Sequence, residues 1–364
     1  MKFKRFFAAA AASVMLCSMT GCSSAKTTST DTGEKILVSK TKNGRPESPG
    51  VLRGSDELNG SSDDDDDGIK RTDKIYKVGI AKLMDHPALN LSEEGFVKAL
   101  EDSGFVIDGN LMLDYRNGET ADLEAVAEEF VANNNDLIFA IATPAAQACA
   151  GKTSTVPIIA TAVTDFVDAG LIESNSRPGR NVSGTTDMSP IEDQIDLIKD
   201  IFPGAQTIGF VYTASESNSA LQIGIADEYA KSIGLSTVTM TINSTADIGQ
   251  AFGAITAQCD AIYLPTDNLL AANMPAVAAV CDPAQIPVFC AESGMVESGG
   301  FGTLAIDYYD LGYQAGLMAV KVLDGSDISG MSIKKSGKFE YYFSRSAVEA
   351  LGVTLPEEYR DYIA

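Results

Sequence analysis

The segment Thr143-Pro144-Ala145-Ala146 has the form of a helix start, with Thr143 as N-cap and Pro144 at the first helical position. Free backbone N–H groups at Ala145 and Ala146, the helix dipole and the Thr143 hydroxyl would together hold a carboxylate. Plain capping uses the same groups, and the sequence leaves both roles open. Asp267, between Thr266 and Asn268, offers the complementary charge: it would take an ammonium group through a charge-assisted hydrogen bond, or cap the apolar helix beginning at Leu269. The ammonium role predicts that Asp267→Ala weakens binding while the melting temperature of the empty protein stays nearly unchanged. Thr164 and Asp165 close the next strand after Thr143. Phe166, Tyr212, Tyr308 and Tyr309 can supply aromatic contacts or pack in the core. Glu292 and Asp307 are secondary anchors near a candidate hinge. His86, the one histidine, either faces a ligand or holds its loop by a hydrogen bond.

None of this resembles catalytic machinery. The stretch Gly79-Ile80-Ala81-Lys82-Leu83-Met84-Asp85-His86 lacks the glycine loop of a dinucleotide site, and no nucleophile elbow, helical metal pair or serine–histidine constellation is present. The chain is therefore expected to bind rather than catalyse, with no cofactor and no metal.

The elements that must position these residues occur twice. Asp136-Leu137-Ile138-Phe139-Ala140-Ile141 and the later Val156-Pro157-Ile158-Ile159-Ala160 return as Asp260-Ala261-Ile262-Tyr263-Leu264 and Ile286-Pro287-Val288-Phe289-Cys290. Upstream, Lys77-Val78-Gly79-Ile80 matches Thr207-Ile208-Gly209-Phe210. An offset of about 125 to 130 residues is too long for a solenoid unit and marks a duplicated domain. Short β-branched runs alternate with amphipathic stretches, the βαβ pattern of a parallel sheet. Strands are expected over 77–82, 111–115, 136–141 and 157–161, then 207–212, 236–241, 261–264 and 287–290. Helices are expected over 92–103, 121–133 and 144–150, then 219–233, 248–258 and 271–281. The fold class is α/β: two similar doubly wound parallel-sheet lobes joined by a multi-strand hinge, lobe 1 over 74–187 plus 303–326 and lobe 2 over 188–302 plus 327–364. Ligands of open parallel sheets bind beyond the carboxyl ends of the strands. That rule selects the loops carrying His86, Thr143 to Ala146, Thr164 and Asp165, Tyr212 to Asn218 and Ser219, Thr266 to Asn268, and Glu292. Charged anchors on opposite lobes would make closure depend on an intact amino acid.

The N-terminal part is set apart by composition. Met1-Lys2-Phe3-Lys4-Arg5, an apolar run from Phe6 to Met19 and Met19-Thr20-Gly21-Cys22 form a leader over 1–21, with Cys22 as the expected lipidation site. Residues 22–73, rich in Ser, Thr and Gly and carrying five aspartates from Asp63 to Asp67, read as a flexible acidic tether. The formal net charge of −23 argues against nucleic acid as a partner. Cys149, Cys259, Cys281 and Cys290 fit no zinc motif; they are buried thiols, or include one disulfide such as Cys259 to Cys281.

Seven blocks carry a family resemblance: Asp85-His86-Pro87-Ala88-Leu89, Ala142-Thr143-Pro144-Ala145-Ala146-Gln147, Ala162-Val163-Thr164-Asp165, Asn181-Val182-Ser183-Gly184, Asn218-Ser219, Leu264-Pro265-Thr266-Asp267-Asn268 and Ile306-Asp307-Tyr308-Tyr309-Asp310-Leu311-Gly312. Over about residues 75 to 364 the chain resembles the substrate-binding lipoproteins of ABC importers, of type I periplasmic-binding-protein fold, in the family with tryptophan- and tyrosine-binding members. The resemblance implies an extracytoplasmic monomer, tethered to the bacterial membrane by lipid alone, that captures a small ligand by hinge closure and docks on an ABC permease. An aromatic amino acid is the favoured ligand. The alternatives are a ligand-binding sensory receptor component, or the same fold holding a non-amino-acid small carboxylate.

Overall fold

The computed structural model describes residues 74–364 apart from Glu119; the leader, the acidic segment and the lipidation site expected at Cys22 lie outside these residues. The chain first forms β1 (Tyr76–Lys82), α1 (Pro87–Asp102), β2 (Leu111–Asn117), α2 (Thr120–Ala132), β3 (Leu137–Ile141), α3 (Thr143–Lys152), β4 (Ile158–Val163) and β5 (Val182–Thr186). The echo follows as α4 (Ile191–Ile201), β6 (Thr207–Thr213), α5 (Ser217–Ser232), β7 (Ser236–Ile242), α6 (Ile248–Ile255), β8 (Ala261–Leu264), α7 (Asn268–Ala271), α8 (Met274–Ala284), β9 (Val288–Cys290), α9 (Ser293–Glu297) and β10 (Gly302–Ile306). Last come α10 (Tyr308–Leu323), β11 (Lys334–Lys335), β12 (Phe339–Phe343) and α11 (Arg345–Ala350).

Two six-stranded sheets result, ordered β11-β5-β4-β3-β1-β2 and β12-β10-β9-β8-β6-β7. All pairs are parallel except β10 with β12. The inner strands β3, β4, β8 and β9 are buried at every position, as unbroken apolar runs covered on both faces must be. The edge strands β2 and β7 expose about every other residue. The repeat persists in detail: the carboxylate of Asp136 accepts from the Lys77 N–H at 2.9 Å, and that of Asp260 from the Thr207 N–H at 2.8 Å, so each lobe pins the start of its first strand with the same residue. No helix among the described residues is long and apolar enough to cross a membrane. The four cysteines of this region are buried free thiols, so no Cys259–Cys281 bridge forms.

Sheet membership corrects the expected lobe boundaries. β10, expected with the first lobe, pairs with β9 and β12 in the second sheet, and β11, expected with the second, extends β5 in the first. The chain therefore crosses after β5, between β10 and α10, and between β11 and β12. Local patterning reports that a strand exists, while the sheet it joins depends on register with distant partners. Two helices also differ. α1 begins at Pro87 instead of Ser92, the proline occupying the first turn, where no N–H is needed. The helix expected over 271–281 is divided into α7 and α8, with Pro275 starting the second piece.

α10 is seated on the first lobe by close backbone approach. A Cβ on Gly95 would overlap the Tyr309 carbonyl, and one on Gly312 the Ser92 carbonyl, so these glycines let α1 and α10 touch along their backbones. The Ser92 hydroxyl also donates to the Tyr308 carbonyl at 3.2 Å. This contact aims Tyr308, the first residue of α10, at the space between the lobes.

Candidate functional site

The carboxyl ends of both sheets face a narrow, largely closed cavity between the lobes. The first lobe lines it with His86, Ala88, Leu89, Ala162, Asp187 and Tyr308, the second with Asn218, Thr266, Asp267, Asn268, Ala271 and Glu292. Ala162 has φ +52° at a register shift between β4 and β5, and Ala142, at the end of β3, has φ +89°. Alanines in the left-handed region hold strain, and here the strain sits where two strands turn into the cleft.

One wall is acidic. Asp187, just past β5, is 3% exposed; its Oδ2 accepts from the Tyr308 hydroxyl at 2.8 Å, while its Oδ1 accepts no hydrogen bond within the protein. Glu292, just past β9, is 2% exposed; its Oε2 accepts from the Gly294 N–H at 2.7 Å and its Oε1 is left open. Burial pushes both carboxyls up, Glu292 to about 7, with the charges of Glu297 and Asp187 adding to the effect on Glu292. Two buried acids from opposite lobes, each with an open oxygen, form a site for a cation.

A hydrogen-bonded clasp also joins the lobes. His86 Nε2 lies 3.2 Å from Asn268 Oδ1, and the Asn268 side-chain amide donates to Glu216 Oε2 at 2.6 Å. Glu216 also accepts from the backbone N–H groups of Asn268 and Leu269, at 3.0 and 3.1 Å. Burial, then the neighbouring Asp267, pushes the Glu216 carboxyl up. Further bonds cross the cleft to Thr164 Oγ1, from Thr266 Oγ1 at 3.3 Å and from the Gln222 amide at 3.4 Å, while Gln222 also donates to Thr266 Oγ1 of its own lobe at 2.6 Å. The lobes are closed on one another.

A profile of the family described as ABC transporter substrate binding protein matches residues 77–362. The chain belongs to this family. A tyrosine-binding protein of Clostridioides difficile is 37% identical over 303 residues, spanning 83% of this chain and 88% of that protein. The crystal structure of an ABC domain in complex with L-Trp, from Streptococcus pneumoniae, is 32% identical, covers 80% of this chain and all of that one, and superposes with a TM-score of 0.77. A ligand-free, open substrate-binding protein with adhesive properties from Clostridium difficile is more alike in sequence, at 38% over 80% of this chain and 99% of that one, yet superposes less well, at 0.63.

In this substrate-binding protein the expected site residues divide into three groups. His86, Thr164, Asn218, Ser219, Thr266, Asp267, Asn268 and Glu292 are all buried at the cleft wall. Asp267 takes the capping role, one of the two left open for it. Its two oxygens accept from Thr213 N–H at 2.6 Å, Thr213 Oγ1 at 2.8 Å and Leu270 N–H at 3.0 Å, so it caps α7 and ties that helix to β6. The Ser219 hydroxyl lies beside this carboxylate.

At α3 the N-cap is Ala142, one residue earlier than expected. The Ala146 N–H is consumed by the Ala142 carbonyl at 3.0 Å and is not free for an anion. Ala145 precedes that first ladder bond, and Thr143 Oγ1 is buried without a protein partner. The remaining candidates point elsewhere. Asp165 accepts from the Val167 and Asp168 N–H groups at 2.8 and 2.9 Å within its own turn. Phe166 packs in the first-lobe core and Tyr212 against the second-lobe core. Asp307 is exposed and caps α10 through the Asp310 N–H at 3.1 Å. Sequence reasoning missed Asp187 and Glu216. Each follows a β-strand of the duplicated pattern at its carboxyl end, and that position was the available signal. Among the described residues no group of three or more His, Cys, Asp or Glu is placed to hold a metal ion.

Proposed function

We propose that the protein captures an aromatic amino acid, tyrosine or tryptophan, outside the cytoplasmic membrane, by closing its lobes on it for delivery to an ABC permease. The observation that carries this reading is the pair of half-satisfied buried carboxylates, Asp187 and Glu292, facing one cavity from opposite lobes. An α-ammonium has three donors and one charge, which suits two open carboxylate oxygens. The α-carboxylate is assigned to the start of α3, at Thr143 Oγ1 and the Ala145 N–H. The tyrosine-binding and L-Trp-bound relatives support an aromatic side chain. Because the ligand bridges two lobes, it binds the closed form preferentially and shifts the population toward it. The same proposal includes acylation at Cys22, action as a monomer and docking on the permease through the lobe tips.

The test is calorimetry on protein refolded from denaturant to remove carried-over ligand, with tyrosine, tryptophan, phenylalanine, leucine and two truncated ligands: tyramine and 3-(4-hydroxyphenyl)propionate. Aromatic amino acids should bind, and both truncated ligands should bind at least about a hundredfold more weakly, since each leaves buried charged groups open. If the propionate, which lacks the ammonium, bound as well as tyrosine, the Asp187 and Glu292 anchor would be wrong. Binding of a small carboxylate with no amino acid bound would replace the ligand class and keep the family.

A further inference from the structure

We infer that His86 and Asn218 read the polar edge of the ligand ring, selecting an aromatic amino acid that carries an O–H or N–H donor over phenylalanine. This rests on the aromatic amino acid reading above and specifies it.

Two neutral acceptors share the cavity with the two acids, and the positions of their protons follow from their partners. Asn268 donates through its side-chain amide to Glu216, so its Oδ1 is the atom facing His86 Nε2. An amide oxygen can only accept, and Nε2 must therefore carry the ring proton. Burial holds the His86 pKa down to about 4, so the ring is neutral at pH 7. In a neutral imidazole protonated at Nε2, Nδ1 is a bare acceptor. His86 is 7% exposed and its Nδ1 has no partner in the protein. Asn218, across the cleft, repeats the arrangement. Its amide nitrogen donates to the Thr266 carbonyl at 2.8 Å, which fixes the orientation of the group, and its Oδ1 is buried and unpartnered. It is 5% exposed.

Both residues line the cavity that also holds Asp187 and Glu292. The cleft thus presents two carboxylate acceptors and two neutral ones. A ligand ammonium goes to the charged pair, where its charge is compensated. The neutral pair is left for an uncharged donor on the ligand side chain, such as a phenol O–H or an indole N–H. Phenylalanine has nothing to offer there and would bury both acceptors unpaired. Sites built around a substrate hydroxyl reject the analogue lacking it far more strongly than apolar pockets reject a missing methylene.

The experiment is the ratio of dissociation constants for phenylalanine and tyrosine, measured by calorimetry on the full chain. The parent protein should prefer tyrosine by about tenfold or more. It should reject O-methyltyrosine, which keeps the oxygen and loses the proton. His86→Gln retains an amide N–H within reach of Asn268 and removes the acceptor at the Nδ1 position. It should bring the ratio near one by weakening tyrosine far more than phenylalanine. His86→Asn, whose amide can place an acceptor near the Nδ1 position, should restore a preference for tyrosine. A His86 that only supports the clasp would weaken both ligands equally in His86→Gln and leave the ratio intact, which would overturn the assignment. A parent ratio near one, or binding of O-methyltyrosine equal to tyrosine, overturns it without reference to any variant. If the parent bound no aromatic amino acid at all, the reading beneath it would fail first, and that result is distinct because both ligands would be silent together.

Discussion

Asp267 and Glu292 are both buried acids beside the cleft, and their hydrogen bonds separate their roles. Asp267 has three protein donors on its two oxygens, so Asp267→Ala leaves the Thr213 and Leu270 N–H groups unsatisfied in the interior. That should cost about 2–4 kcal/mol and lower the melting temperature of the empty protein by roughly 5–10 °C. The ammonium role instead expects lost binding with an unchanged melting temperature, and a melt of the ligand-free variant decides between them. Glu292 instead keeps one oxygen open, with its pKa near 7 in the empty cleft. A bound ammonium favours the ionised form, so binding releases a proton wherever the empty protein holds one there. Affinity should therefore fall as pH drops below about 7, by up to roughly tenfold per unit, and be flat above about 8. Glu292→Gln should bind more weakly at pH 8 and lose most of this slope, and calorimetry in buffers of different ionisation enthalpy would count the proton released.

At the scale of elements, the site depends on how α10 is held. Its backbone contact with α1 at Gly95 and Gly312 sets the position of Tyr308, and Tyr308 in turn occupies one oxygen of Asp187. Gly312→Ala pushes a Cβ into the Ser92 carbonyl, and helices that must separate carry Tyr308 with them. The expected outcome is a loss of about 1–3 kcal/mol of stability together with weaker binding, read by denaturant melts and calorimetry on one preparation. An unchanged affinity would show that Tyr308 does not set the Asp187 geometry. The strands at this scale were legible because β3, β4 and β8 are short apolar runs bounded by Asp, Pro or Thr. The start of α1 was not, since the apolar periodicity begins later than the proline that opens the helix.

The whole molecule adds closure. Thr164 meets Thr266 and Gln222 only when the lobes are together, so these bonds stabilise the closed form with or without a ligand. Thr164→Val removes this contact and a hydroxyl beside Asp187, and leaves Glu292 and His86 in place. It should weaken tyrosine and tryptophan by the same factor, about threefold to tenfold, through the closed-state population. A change in the ratio of the two affinities would mean that Thr164 touches ligand directly. Solution X-ray scattering should show the variant more open than the parent before ligand is added.

Duplication, two α/β lobes and a cleft at the strand ends were written in the sequence itself. Apolar period and turn residues act over a few positions and need no distant partner. Tertiary structure alone decided that β10 joins the second sheet, that Asp267 caps a helix, and that Asp187 faces Glu292. It also left His86 Nδ1 and Asn218 Oδ1 open toward the same cavity. Each of these depends on which polar atoms meet across long stretches of chain, and a buried carboxylate with three donors reads the same in sequence as one with a single donor.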